Sequence, residues 1–390
     1  MRYFVYFLLL FICSVSVFSQ TPRGPGPRDW WYTLERGKAM YRQGDYGGAL
    51  LAFEDSRRQR QSMYGRMEKD LIALLSLREV RRLGDSLDWV ERYIQERRYA
   101  DAAEALAELY YRVPKETFND SVSAALDALG GLKDYPEAEY WIGEVYLVEG
   151  ELKLAMDQFQ KAHSQRRLLE NPGLAGGLLY KIAGICRIRQ DYNEMERILL
   201  LILSDDRLWS ASESGEPAYD QRKGLPASAA TTFTRRAMAR TLESNGVNRF
   251  LTLYRYGNAE SVEAHQNLGF YYYLSGRHGK AQEHLMFAFL IQSTVIIDEI
   301  IRHRYDYTFT TFEELAREMN NYPVLAEYAE KNGYYKTAYY LGASLYGNGK
   351  TSPAGEIWNA LSAQNQAGEW QSRSIAQLRA PHLERYVEMP

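Results

Sequence analysis

From Trp30 almost to the C-terminus, apolar residues recur at three- and four-residue spacing, the period that lines them along one side of an α-helix. Short breaks containing Gly, Pro or Asn interrupt the pattern at intervals suited to pairs of helices rather than long rods. No run of alternating β-branched and polar residues bounded by turns appears, so the pattern predicts helices and no sheet. The chain is therefore expected to be all-α. Leu285 to Ile291 (LMFAFLI) is apolar on every side. It is shorter than the roughly 20 residues of a membrane span and is expected to be buried inside the protein.

The pattern also repeats. Within Ala138 to Arg166, Gly143 is followed at fixed offsets by Tyr146, Gly150, Ala155, Phe159 and Ala162. Each position has a mechanical role. Gly143 lets a second helix approach closely, Tyr146 fills the gap one turn on, and Gly150 permits a tight turn. Ala155 again lets backbones approach, while Phe159 and Ala162 share the inner face. The same offsets recur from Gly37 (Met40, Gly44, Ala49, Phe53, Ser56), from Gly269 (Tyr272, Gly276, Ala281, Leu285, Ala288) and from Gly342 (Leu345, Gly349, Ala354, Trp358, Leu361). A looser copy uses Ala183, Cys186, Met195, Leu199 and Ile202, and a weaker one uses Val90, Tyr93, Ala102, Leu106 and Leu109. Residues 229–257 hold only a poor match, around Asn245–Gly246.

These units resemble tetratricopeptide repeats (TPRs), helix–turn–helix modules of about 34 residues. The last unit, LGASLYGNGKTSPAGEIWNAL, also looks like the related Sel1-type repeat. The resemblance implies an irregular helical-hairpin solenoid, a right-handed superhelix with a concave groove for peptides or partner helices, and no catalysis. One departure is regular. The first three anchors, at 37, 90 and 143, are more widely spaced than a single repeat, leaving room for extra helices at 66–83 and 117–129.

The ends are different in kind. Residues 1–19 combine Arg2, an apolar core from Tyr3 to Cys13 and small residues at Val17 and Ser19, the build of a secretory signal peptide cleaved after Ser19. An uncleaved anchor and a lipid on Cys13 are the alternatives, the latter opposed by the bulky Ile12. Residues 20–29 form a Pro/Gly spacer. Two helical arrays are expected at 30–204 and 229–363, separated by a polar linker or insertion at 205–228, with a terminal helix and tail at 364–390. Export is expected to place the mature chain in the periplasm of a bacterium, with a membrane-anchored form the alternative.

Composition narrows the function. Hydrophobic residues make up 46% and charged residues 25%, enough to fill cores and incompatible with wholesale disorder. The net charge of −3 gives no global attraction to nucleic acid. With Cys13 removed, Cys186 has no intramolecular disulfide partner. The six histidines form no HExxH motif, and no zinc, nucleotide or nucleophile motif is present, so neither metal nor cofactor is expected. Cys186 occupies a core position of its repeat.

Tyrosine is over-represented, with 31 residues against 14 Phe and 7 Trp. Several form runs: Tyr271–Tyr272–Tyr273, Tyr334–Tyr335 and Tyr339–Tyr340. Successive helical residues point about 100° apart, so some of these rings are expected at a surface. Tyr271 and Tyr273, flanking the core residue Tyr272, are candidate partner-binding residues because Tyr suits interfaces. Arg57 and Arg58, in a basic cluster read as a helix end, are candidates for an acidic partner or an anionic surface.

The expected function is a non-catalytic protein–protein interaction scaffold of the bacterial cell envelope, in an envelope assembly or a periplasmic flagellar motor. The alternative is an accessory ligand- or solute-binding protein working with a transport system. An enzyme carried on a helical support is a third class, but the repeats resume after residue 228 and leave no room for a separate catalytic fold.

Overall fold

The computed structural model describes residues 29–74, 92, 93, 96, 101, 105, 134–204 and 235–387. Among these residues the regular structure is helical, with fourteen α-helices and no strand. The all-α class is therefore observed. The signal segment, the spacer up to residue 28, the extra helix at 117–129, the linker at 205–228 and most of the copy around Val90 lie outside the described residues. Asp29, assigned to the spacer, is the first residue of a helix.

The chain separates into two compact units, Met1–Leu178 and Leu179–Pro390. In the first, α1 (Asp29–Arg42) pairs with α2 (Tyr46–Leu74), α3 (Pro136–Val148) pairs with α4 (Leu152–Ser164), and α2 packs on α3. Their shared core holds Leu34, Ala49, Phe53, Ala138, Ile142 and Val145, with Tyr146 partly buried against it. The predicted extra helix beginning at residue 66 is instead continuous with α2 as far as Leu74.

The boundary between the units falls inside α5 (Gly173–Ile188). The second unit continues with α6 (Tyr192–Ser204), α7 (Arg235–Leu253), α8 (Val262–Leu274), α9 (His278–His303), α10 (Phe312–Met319), α11 (Pro323–Lys331), α12 (Tyr334–Gly347), α13 (Thr351–Ser362) and α14 (Glu369–Arg379). Helices α8/α9 and α12/α13 form hairpins, and α9 packs against α12. Helix α6 leans on α8, while α7, α10 and α14 surround α13.

The predicted spacing is visible as geometry. A β-carbon on Gly37, Gly143, Gly269 or Gly342 would stand 2.6, 2.8, 2.5 or 2.8 Å from the side chain of Phe53, Phe159, Leu285 or Trp358 respectively. Each hairpin thus closes where the anchor lacks a side chain. Ala49, Ala155, Ala281 and Ala354 are buried on the facing helices. The turns share one conformation. Gly44, Gly150, Gly276 and Gly349 have φ of 82°, 82°, 70° and 75°, and Gln190 takes the same place in the looser copy with φ 59°. In every case the next amide reaches back five residues: Asp45, Glu151, Asp191, Arg277 and Lys350 donate to the carbonyls of Met40, Tyr146, Cys186, Tyr272 and Leu345 at 2.8–3.0 Å. This left-handed cap satisfies carbonyls that a helix end leaves open.

The weak match at Asn245–Gly246 is also a break. Gly246 has φ 75° and ψ 179° inside α7, a backbone region open essentially to Gly alone. The Glu356 carboxylate on α13 accepts the freed Val247 amide at 2.9 Å, acting as a cap supplied from another helix.

Two helices are buried around nearly their whole circumference. In α9 every residue from His284 to Thr294 is buried, as the apolar run LMFAFLI predicts. It is long and apolar enough to cross a membrane, yet most of that stretch is covered by protein. In α12 the rings of Tyr334, Tyr335, Tyr339 and Tyr340 are each no more than 3% exposed. This corrects the expectation that such runs must leave rings at a surface: α8, α9, α11, α13 and α14 all pack against α12.

Candidate functional site

The four candidate partner-binding residues meet different fates. Tyr273 is buried. Its ring packs edge-on against Tyr340 at 5.1 Å, and its hydroxyl accepts the Glu384 amide at 2.9 Å. Burial pushes its phenol up to about 12. It is covered by other helices and by the chain's own tail, so the expectation that it stands on an open surface is corrected. Tyr271 is half-buried. It stacks on Tyr192 with centroids 5.7 Å apart, and the Arg277 guanidinium lies 4.9 Å from its ring. This leaves a surface aromatic–cation stack. Tyr272 beneath it is a core residue as expected, and its hydroxyl donates to Glu196 at 2.7 Å.

Arg57 and Arg58 lie in the middle of α2, not at a helix end. Arg57 reaches Glu139 on α3 at 3.1 Å, and Lys161 on α4 reaches the same carboxylate at 2.5 Å. Glu139 is almost fully buried, so these two cations neutralise a carboxylate whose isolated burial would be strongly unfavourable. Arg57 is therefore held by the fold. Arg60, from the same basic cluster, is buried over the Tyr135 ring at 4.3 Å and pairs with Glu170 at 3.6 Å. Arg58 is exposed, with Asp55 at 4.0 Å, and remains open to a partner.

Cys186 is buried, and its thiol is pushed up by burial and by Glu194 and Asp191. At neutral pH it stays protonated, which suits a core side chain rather than a nucleophile. The histidines give something the sequence reading missed. His265 on α8 and His284 on α9 are both buried, with their Nδ1 atoms 3.1 Å apart. One ring must donate and the other accept. The two lie 19 residues apart in no motif, so neither residue type nor spacing marked the pair. Among the described residues no group of three His, Cys, Asp or Glu side chains is placed to hold a metal ion.

Sequence reading also missed a polar cluster around Glu384. The tail after α14 folds back, and its carboxylate is met by Tyr339, Tyr340 and Arg373. Only the Tyr339–Tyr340 run hinted at it. Beside this cluster a cavity of about 290 Å³ opens between α11, α12 and the start of α14, lined by Tyr335, Lys336, Glu330, Glu369 and Trp370.

No family model matches the chain. A relative from Treponema pallidum (strain Nichols), an uncharacterized protein, is 25% identical over 370 residues, covering 95% of this chain and 94% of its own length. The likeness runs end to end, across both units, rather than marking one conserved module.

Proposed function

We propose that this chain is a TPR-like scaffold of the bacterial cell envelope: its helical hairpins stack as repeats, bind protein partners and do no chemistry of their own. The observation that carries the reading is the recurrence of one hairpin. Four anchor glycines each meet the residue sixteen positions on, and five turns repeat the same left-handed cap. Such hairpins cannot bury their apolar faces alone, so they stack and leave long surfaces for partners. The signal-like segment at residues 1–19 supports export to the periplasm. An envelope assembly or a periplasmic flagellar motor is the setting that the exported repeat array fits.

The test is co-purification of the full-length protein from its native envelope after cross-linking. A defined protein partner is expected. Recovery of the protein alone, with intrachain cross-links only, would overturn the reading. The cavity beside Trp370 and Tyr335 favours a second reading, an accessory solute-binding protein. In that case, small solutes rather than proteins would raise the melting temperature.

A further inference from the structure

The tail from Pro381 to Val387 lies along α8, α12 and α14 without helical structure, and it is held as a bound peptide is held. Its backbone is read at three residues, the first being Pro381, whose carbonyl accepts the Tyr346 hydroxyl at 3.3 Å. Gln377 grips His382 from both sides, its amide nitrogen donating to the His382 carbonyl at 3.0 Å and its oxygen accepting the His382 amide at 2.9 Å. Tyr273 accepts the Glu384 amide at 2.9 Å.

One side chain is read by charge. Glu384 receives hydrogen bonds from the hydroxyls of Tyr339 at 2.5 Å and Tyr340 at 2.9 Å, and from Arg373 through both Nε and Nη2. The hydroxyls are preset: Gln377 donates to Tyr339 at 2.9 Å and Arg373 donates to Tyr340 at 2.8 Å, so both phenolic hydrogens turn toward the carboxylate. Burial alone would push Glu384 up, but these donors outweigh it and hold the carboxyl below its usual range. Three residues on, Val387 is buried, while Leu383 and Tyr386 are exposed. The contacts therefore specify a non-helical backbone bent at Arg385, a carboxylate and an apolar side chain three residues later. Charge-assisted donors converging on one carboxylate form a selective site.

We propose that this cradle is a binding site for a non-helical acidic segment of a partner protein, of the pattern Glu-x-x-apolar, and that the chain's own tail occupies it until such a segment displaces it. The proposal rests on the scaffold reading and names the segment that one partner presents. The tail is suited to exchange. It joins the fold at one non-helical point, Ala380–Pro381, and most of its side chains face solvent. Among the described tail residues, Glu384 and Val387 are the two that are not exposed.

A fluorescein-labelled peptide of residues 381–390, added to full-length protein, tests this. The Glu384→Ala protein, whose tail no longer fills the cradle, is expected to bind the peptide at least tenfold more tightly than the wild type. The Glu384→Gln peptide is expected to bind it at least tenfold more weakly than the unaltered one. An unrelated peptide keeping only Glu-x-x-Val is expected to bind within tenfold of the tail peptide. Equal binding by wild type and Glu384→Ala, or indifference to the Gln peptide, would overturn the proposal. Binding of the tail peptide but not the unrelated one would also overturn it, because the site would then serve the tail only. Should Glu384→Ala loosen the fold, the peptide must raise its melting temperature, and absence of that rise counts against the site. In native-envelope capture, a partner recovered equally by both proteins and undisturbed by excess peptide rejects the cradle but keeps the scaffold. No partner with either protein rejects the scaffold itself.

Discussion

A β-carbon on Gly143 would stand 2.8 Å from Cε1 of Phe159, nearer than real side chains approach, so α3 and α4 close on each other only because residue 143 has none. Phe159 is fully buried at that contact. Phe159→Ala should cost about 3–5 kcal/mol, the range for a large aromatic lost from a core. Ala155→Leu, one turn earlier on α4, should cost about 1–3 kcal/mol by overpacking. Chemical denaturation of the full-length variants measures both. Wild-type midpoints would mean that the hairpin is not held by this contact.

The shared turn gives a pair of opposite predictions. Gly150 sits at φ 82°, where a side chain costs about 1–2 kcal/mol, so Gly150→Ala should destabilise by that amount. Gln190 already bears the strain at φ 59°. Gln190→Gly should therefore stabilise by up to about 1 kcal/mol, offset in part by the greater freedom of glycine in the unfolded chain. Melting temperatures moving in the same direction would contradict the common cap.

At Gly246 the backbone at φ 75° forbids a side chain, and a β-carbon 2.5 Å from the Glu356 carboxylate would also push that cap aside. Gly246→Ala should be among the most disruptive Gly-to-Ala changes in the chain. Glu356→Gln keeps an acceptor for Val247 and should be mild, whereas Glu356→Ala should cost about 0.5–2 kcal/mol, as for other lost caps. Equal losses from Gln and Ala would remove the capping role.

The His265–His284 pair makes the second unit sensitive to acid. Burial holds His284 well below its ordinary value of 6.5, with the nearby His265, Arg235 and Lys280 adding to the effect. Below about pH 6.5 the unfolded chain binds a proton that the folded chain refuses, so stability falls as pH falls through this range. The slope approaches about 1.4 kcal/mol per pH unit for one proton. Denaturation between pH 7.5 and 5.5 should show this loss, and His284→Gln should flatten it. An unchanged slope in that variant would assign the acid sensitivity elsewhere.

What the sequence revealed and what it hid divide along sequence separation. The Gly143–Phe159 contact and the Gly150 turn lie within one hairpin, so residue type and spacing carry them. Burial of Tyr339 and Tyr340 does not lie in their own helix. It comes from Phe270 and Tyr273 on α8, Trp358 on α13, Trp370 on α14 and Glu384 in the tail, and the same meeting of elements buries Tyr273. Arg57 looked free because its partner, Glu139, is 82 residues away. Glu384 drew no reading from the sequence because its donors on α12, Tyr339 and Tyr340, lie 45 and 44 residues away.

The central claim is that these hairpins serve a protein partner. Cross-linking mass spectrometry in the native envelope, with a photo-reactive residue placed at Arg58 or at Tyr271, tests it most directly. The account predicts a discrete adduct with one other protein from at least one of these positions, in reproducible stoichiometry. Intrachain products alone at both positions, from protein recovered as a free monomer, would contradict it.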